Sequence, residues 1–296
     1  MEKRKWENLN EDCLVNIFGR LDVESLLLDV PLVCKQWYRA TFNPLSWQNL
    51  VFPVDIYPSR LVDSFNSRAG DLTFDISKLI KFVVGRSQGC ATTVVLPDCI
   101  SREDLIFVSD KCPFLKVLAV SSDPFVFETY EGDIGCAISD LLVKWKSLEV
   151  LKLDSCRHLV EIIVKIGLKL NCKNFVELSM KKTYIDQDVA TAIVSNLSTI
   201  KRLVLDESNL EKVNLELILR GCKELELLYA RDCVGFDEDD EEILRIASRI
   251  KYFQCKGSRT GIQNSYSGYN KFMSEHDYID PHYEYDYDDY ILYCDY

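Results

Sequence analysis

The chain has 296 residues, 47% hydrophobic and 28% charged, a packed globular composition that excludes a protein disordered throughout. Its formal net charge of -12 argues against nucleic acid as the main ligand, because phosphate contacts need a net basic surface. No run of about 18 apolar residues occurs, so no membrane span is readable, and the opening MEKRKWENLNEDC lacks the apolar stretch of a secretory signal.

An intracellular protein, nuclear or cytoplasmic, is therefore expected, with one large domain and one small one. Its 12 cysteines should be reduced thiols in that compartment. With no Cys-x-x-Cys pair and only His158, His276 and His282 as imidazoles, neither a metal site nor a cofactor is expected.

Along the chain, Leu14, Ile17, Phe18 and Leu21 recur at helical spacing behind Asn10, which reads as an N-cap with Glu11 and Asp12 in the first turn. Asp22 to Asp29 reads as a second short helix. Pro31 suits the start of a third that carries Val33, Cys34 and Trp37. Fewer than about 50 residues seldom close a core, so apolar faces this rich suggest a surface completed by a partner.

The residues Leu9, Glu11, Asp12, Leu14, Ile17, Phe18, Arg20, Leu21, Leu26, Val33, Cys34 and Trp37 resemble the F-box, with Asn10 where that motif usually has proline. The resemblance implies docking on a Skp-family adaptor and, through it, on cullin. It makes Leu9, Leu14, Ile17, Leu21, Leu26, Val33 and Trp37 the expected adaptor-binding residues, with Arg20 and Lys35 on the rim. The F-box is expected over residues 1–50, and residues 51–84 as a helical adapter in which Leu79, Ile80, Phe82 and Val83 cover the first repeat. Pro44, Leu45 and Trp47 should join the two.

Beyond residue 85 one phrase returns: FLKVLAVSSD, LEVLKLDSC, FVELSMKKT, IKRLVLDES, LELLYARDC and IKYFQCKGS. Its second apolar position falls at Leu118, Leu151, Leu178, Leu203, Leu228 and Phe253, at intervals of 33, 27, 25, 25 and 25 residues. A weaker copy, TVVLPDCIS, puts Leu96 in that place. The intervening stretches have helical spacing, so strand alternates with helix in stacked units.

Cys156 and Cys233 close the phrase, where Thr183 and Ser208 stand in other copies, and Cys112, Cys172 and Cys222 precede it. These positions want small, buried side chains, and no chemistry is assigned to the thiols. The pattern resembles the cysteine-containing leucine-rich repeats that follow an F-box in plant F-box/leucine-rich-repeat proteins. That resemblance implies an α/β fold: a three-helix F-box followed by a solenoid of six to seven repeats over residues 85–258, with short parallel strands inside and helices outside.

Alternation along each strand turns the residues beside every inward leucine onto the concave face. There the last copies group Arg202, Leu227, Tyr229, Arg231, Tyr252 and Gln254, the expected substrate-binding residues. Residues 259–296 form an acidic tail rich in Tyr and Asp, expected to be disordered. No phosphate-binding glycine loop, nucleophile elbow or placed general base is present, and His158 reads as a surface residue, so no enzyme activity is expected. The expected function is a substrate receptor of a Skp-cullin-F-box ubiquitin ligase, with an unknown protein as target and neither nucleic acid nor membrane as partner. The alternative is a repeat scaffold whose opening helices only cap the array.

Overall fold

A computed structural model describes residues 6, 9–53, 59–68, 73–121, 134–169 and 174–261. The tail from residue 262 onward, Cys172, His276 and His282 lie outside the described residues.

In the opening module, α1 (Glu11–Phe18) begins where the Asn10 carboxamide accepts the Asp12 N–H at 3.1 Å, with Glu11 and Asp12 at the positive end of the helix dipole. A π-type segment, Ser25–Asp29, then runs into α2 (Val30–Val33). The wide turn has a chemical reason: Pro31 has no N–H to donate, and the Val30 N–H reaches back to the Ser25 carbonyl. The helix expected to run from Pro31 through Trp37 is interrupted. Cys34 is extended (φ -164°), and α3 (Lys35–Ala40) starts anew behind it, bringing Trp37 edge-on to Phe18 at 5.3 Å between ring centroids.

A 3-10 turn, Pro44–Trp47, leads directly into β1 (Asn49–Val51). Helices α4 (Ser59–Asn66) and α5 (Ile76–Arg86) follow, and then the repeats: β2 (Thr93–Val95), α6 (Arg102–Lys111), β3 (Val117–Ser121), α7 (Ile134–Leu141), β4 (Val150–Asp154), α8 (Leu159–Lys169) and β5 (Glu177–Lys181). The series continues with the two-residue β6 (Tyr184–Ile185), α9 (Gln187–Asn196), β7 (Arg202–Val204), the two-residue β8 (Asn209–Leu210), α10 (Lys212–Gly221), β9 (Leu227–Tyr229), α11 (Glu241–Ala247) and β10 (Tyr252–Gln254). Strand and helix alternate as the sequence implied.

One parallel sheet of eight strands runs β1-β2-β3-β4-β5-β7-β9-β10, with β6 and β8 as a second, smaller ladder. Its register follows the repeat phrase. Leu118, Leu151, Leu178, Leu203, Leu228 and Phe253 are successive partners. The first five of them are fully buried, each worth about 2 kcal/mol of apolar burial. The sheet starts earlier than the phrase, since Leu50 of β1 pairs with Val94 of β2. Val94, not Leu96, is the partner of Leu118. Both Val94 and Leu96 point inward, because side chains two apart on a strand share a face, and alternation by itself does not choose between them.

After β4, β5, β7, β9 and β10 the chain turns out of its strand on a left-handed residue at one repeat position: Ser155, Lys182, Glu207, Asp232 and Gly257, with φ of 53°, 52°, 58°, 53° and 82°. The residue after it faces the core and tethers neighbouring coils. Ser208 Oγ donates to the Met180 carbonyl (3.3 Å), Cys233 Sγ to the Leu205 carbonyl (3.1 Å) and Ser258 Oγ to the Ala230 carbonyl (2.7 Å). The closing position of the phrase is thus small and also a hydrogen-bond donor, which is why Cys, Ser and Thr alternate there.

The opening module and the first coil share one core. Trp47 is buried, with its indole N–H on the Thr41 carbonyl at 2.7 Å, and Asn49 Nδ2 donates to the Gly19 carbonyl at 2.8 Å. The Arg86 guanidinium lies over both Phe42 (4.7 Å) and Phe82 (5.1 Å). Leu45, expected at this joint, is instead exposed.

Candidate interaction surfaces

The opening helices sort their apolar residues into two sets. Leu14, Phe18, Leu26, Leu28 and Val30 are buried and hold the module together. Two of the expected adaptor contacts, Leu14 and Leu26, are among these buried residues. Leu14 and Leu26 face inward because a three-helix unit this small needs its largest aliphatic side chains for its own core. Leu9, Leu21 and Trp37 are half-buried against that core, whereas Ile17 and Val33 are exposed.

Sequence reasoning missed Leu32, which is 71% exposed, together with exposed Tyr38, Phe42 and Leu45. The signal was present in the composition of the segment, but the break at Cys34 shifts which positions face out. Among the described residues, seven of the fifteen exposed large apolar side chains lie within the first 45 positions. Such a concentration is the mark of an interaction surface.

The second surface is the solvent side of the sheet. Strand pairing sets Glu177, Arg202, Leu227 and Tyr252 side by side, and in the next row Ser179, Val204, Tyr229 and Gln254. The six expected substrate-binding residues are therefore brought together, on three neighbouring strands and the turn after β9. Arg202 is exposed and pairs with Glu177 at 2.8 Å. Tyr252 is half-exposed, with the Lys251 ammonium 4.8 Å above its ring.

Arg231 is the most constrained of the six. Its Nε and Nη2 donate to Asp206 Oδ2 at 3.2 and 2.5 Å, and its backbone N–H donates to Oδ1 at 2.9 Å. Asp206 is buried, and accepting the guanidinium pushes the Arg231 pKa further up. The same guanidinium covers the Tyr229 ring at 4.9 Å, so arginine and tyrosine form one rigid element. Asp154, at the end of β4, has its pKa raised by burial, with Lys181 and Lys182 pulling the other way.

The buried thiols are chemically quiet. Loss of hydration pushes Cys112 and Cys233 up to about 12 and Cys222 up to about 11, so all three stay protonated at neutral pH. His158 is exposed, with its Nδ1 3.9 Å from a Glu161 carboxylate oxygen.

A module of short helices with uncovered apolar side chains is thus fused to a parallel repeat sheet whose open side carries aromatic and charged residues. The F-box-like family matches residues 6–53. Similar proteins extend the likeness along the repeats. F-box protein SKIP1 of Arabidopsis thaliana is 25% identical over 267 residues, covering 84% of this chain and 85% of that protein. F-box protein FBW2 of the same plant is 26% identical over 246 residues, covering 81% and 72%. An F-box/LRR-repeat protein of that plant is 25% identical over 283 residues, covering 88% and 86%. Together with the coil architecture, these likenesses support an F-box/leucine-rich-repeat protein.

Proposed function

We propose that the chain is the substrate-recognition subunit of an SCF-type ubiquitin ligase. The opening module docks on a Skp-type adaptor and, through it, on cullin, while the open side of the sheet takes up the target protein. One observation carries this reading: the apolar side chains left uncovered on the opening helices, with Leu32 and Val33 at 71% and 56% exposure. Covering a leucine-sized side chain contributes about 1.5–3 kcal/mol, so a few of them suffice for a stable contact.

On this reading Ile17, Leu32 and Val33 are the central adaptor contacts, with Leu9, Leu21 and Trp37 at their edge. Arg202, Leu227, Tyr229, Arg231, Tyr252 and Gln254 face the target. Ubiquitin transfer belongs to other subunits. This chain supplies proximity, raising the effective concentration of a target lysine near the charged conjugating enzyme.

Co-purification with a Skp-type adaptor tests the reading. The parent chain is expected to retain the adaptor, and the double variant Leu32→Asp/Val33→Asp to lose it while melting at the parent temperature. Equal retention by both would favour the scaffold alternative.

A further inference from the structure

Resting on the receptor reading above, we infer that the target segment taken up by the strand face is an extended peptide rich in Asp and Glu with apolar residues between its acids. Three facts about charge on that face point there. First, its arginines are already occupied, Arg202 by Glu177 and Arg231 by Asp206. Second, Lys152, Lys181 and Lys256 have no ion-pair partner within 4.0 Å among the described residues, and Lys152 and Lys256 are exposed. Third, the three outward rows from Val117 to Lys256 hold five cations (Lys152, Lys181, Arg202, Arg231, Lys256) against three anions (Asp154, Glu177, Asp206), a surplus of two in a chain whose net charge is -12.

The repeat register fixes the spacing. Lys181 and Lys256 occupy the same repeat position three strands apart, about 14 Å at the usual spacing of parallel strands. A peptide crossing the strands at roughly 3.3 Å per residue spans that distance in four to five residues. Between the two lysines the same row holds Asp206 and Arg231, which neutralise each other, and beside them in the next row lies the Tyr229 ring under the Arg231 guanidinium, an apolar and uncharged stretch of the path. The matching ligand therefore has acids four or five residues apart with an apolar side chain between them.

Carboxylates fit better than a phosphate. A phosphoryl group is best held by a free guanidinium fork, and both forks on this face are taken; isolated lysine ammoniums are point charges that suit single carboxylates.

The probe is a fluorescein-labelled dodecapeptide with two glutamate pairs flanking a Leu-Phe centre, titrated with the full chain in low salt and followed by anisotropy. Specific binding that weakens as salt rises is expected. The Lys152→Glu/Lys181→Glu/Lys256→Glu variant should bind about tenfold more weakly, at two- to threefold for each exposed charge contact. The neutral Gln version at the same three positions should fall between variant and parent, and circular dichroism spectra at the assay temperature should coincide for all three. A peptide with Gln in place of Glu should lose affinity by a similar factor.

Equal binding of the Glu and Gln peptides, or of parent and charge-reversed protein, overturns the inference. So does selective capture of a phosphoserine peptide of the same length. Adaptor co-purification is read on the same preparations: adaptor retained without peptide binding sinks the inference alone, whereas adaptor lost from the parent chain sinks the receptor reading beneath it.

Discussion

Removing the hydroxyl of Ser258 tests the tether between coils. This side chain is 4% exposed, donates to the Ala230 carbonyl at 2.7 Å and accepts the Cys233 N–H at 3.0 Å. Ser258→Ala leaves one buried carbonyl and one buried N–H without that partner, each worth about 1–3 kcal/mol, so a loss of about 3 kcal/mol is expected. Ser258→Cys should cost less than about 1 kcal/mol, because Cys233 makes the equivalent thiol contact to Leu205 at 3.1 Å one coil earlier. Urea unfolding of the full chain, followed by tryptophan fluorescence and circular dichroism, measures both; an unchanged denaturant slope would confirm that the folded state is what changed. An alanine variant within about 0.5 kcal/mol of the parent would refute the reasoning, as would a cysteine variant as unstable as the alanine one.

Three further outcomes follow from the same structure. Leu14→Asp, placed in the core of the opening module, should lower the melting temperature by many degrees and so lose adaptor binding through unfolding, unlike the exposed pair Leu32 and Val33; a Leu14→Asp chain that melts normally would contradict its burial. Burial raises the Asp154 pKa, so its ionisation opposes folding. Asp154→Asn should therefore stabilise the chain at pH 7, and the gain should shrink as pH falls through the raised value toward the usual carboxylate range, where both folded and unfolded forms are protonated; melts at several pH values that show no such convergence would count against it. Gly235 has φ 127° and a Cβ there would lie 2.5 Å from the Leu210 carbonyl oxygen, so Gly235→Ala should cost roughly 3 kcal/mol in the same urea assay, with a neutral result ruling out that backbone geometry.

The repeat was legible because two periods reinforce each other. Alternation along a strand selects the inward leucines, and recurrence every 25 or so residues tells which of them are neighbours, so the rows from Val117 to Tyr252 and from Ala119 to Gln254 could be written from sequence. Where one period was missing, the reading slipped. β1 has a single copy of the inward pattern, Leu50 and Phe52, and sits directly behind the opening helices, so nothing marked it as a strand of the sheet. At β2 the shortened phrase allowed a shift of two residues that leaves the facing unchanged. The left-handed turns at Ser155, Lys182, Glu207 and Asp232 have no glycine or asparagine to announce them; only the coil geometry imposes them.

In the opening module, helical spacing found the apolar residues but not their destinations. Leu14 and Ile17 are three apart and both aliphatic, yet the first is core and the second is surface, a difference that depends on which side of α1 its neighbours in the module cover. Sequence periodicity describes one helix at a time and carries no information about which of its sides a neighbour covers.

The buried Trp47 and the Asn49 to Gly19 hydrogen bond leave no swivel between the helical head and the first coil. Reach is then a matter of counting: each added or deleted coil would move the far end of the sheet by one strand width, about 4.8 Å, without disturbing the head. On the receptor reading proposed above, the molecule works as a ruler with a handle, and its length is written in repeats.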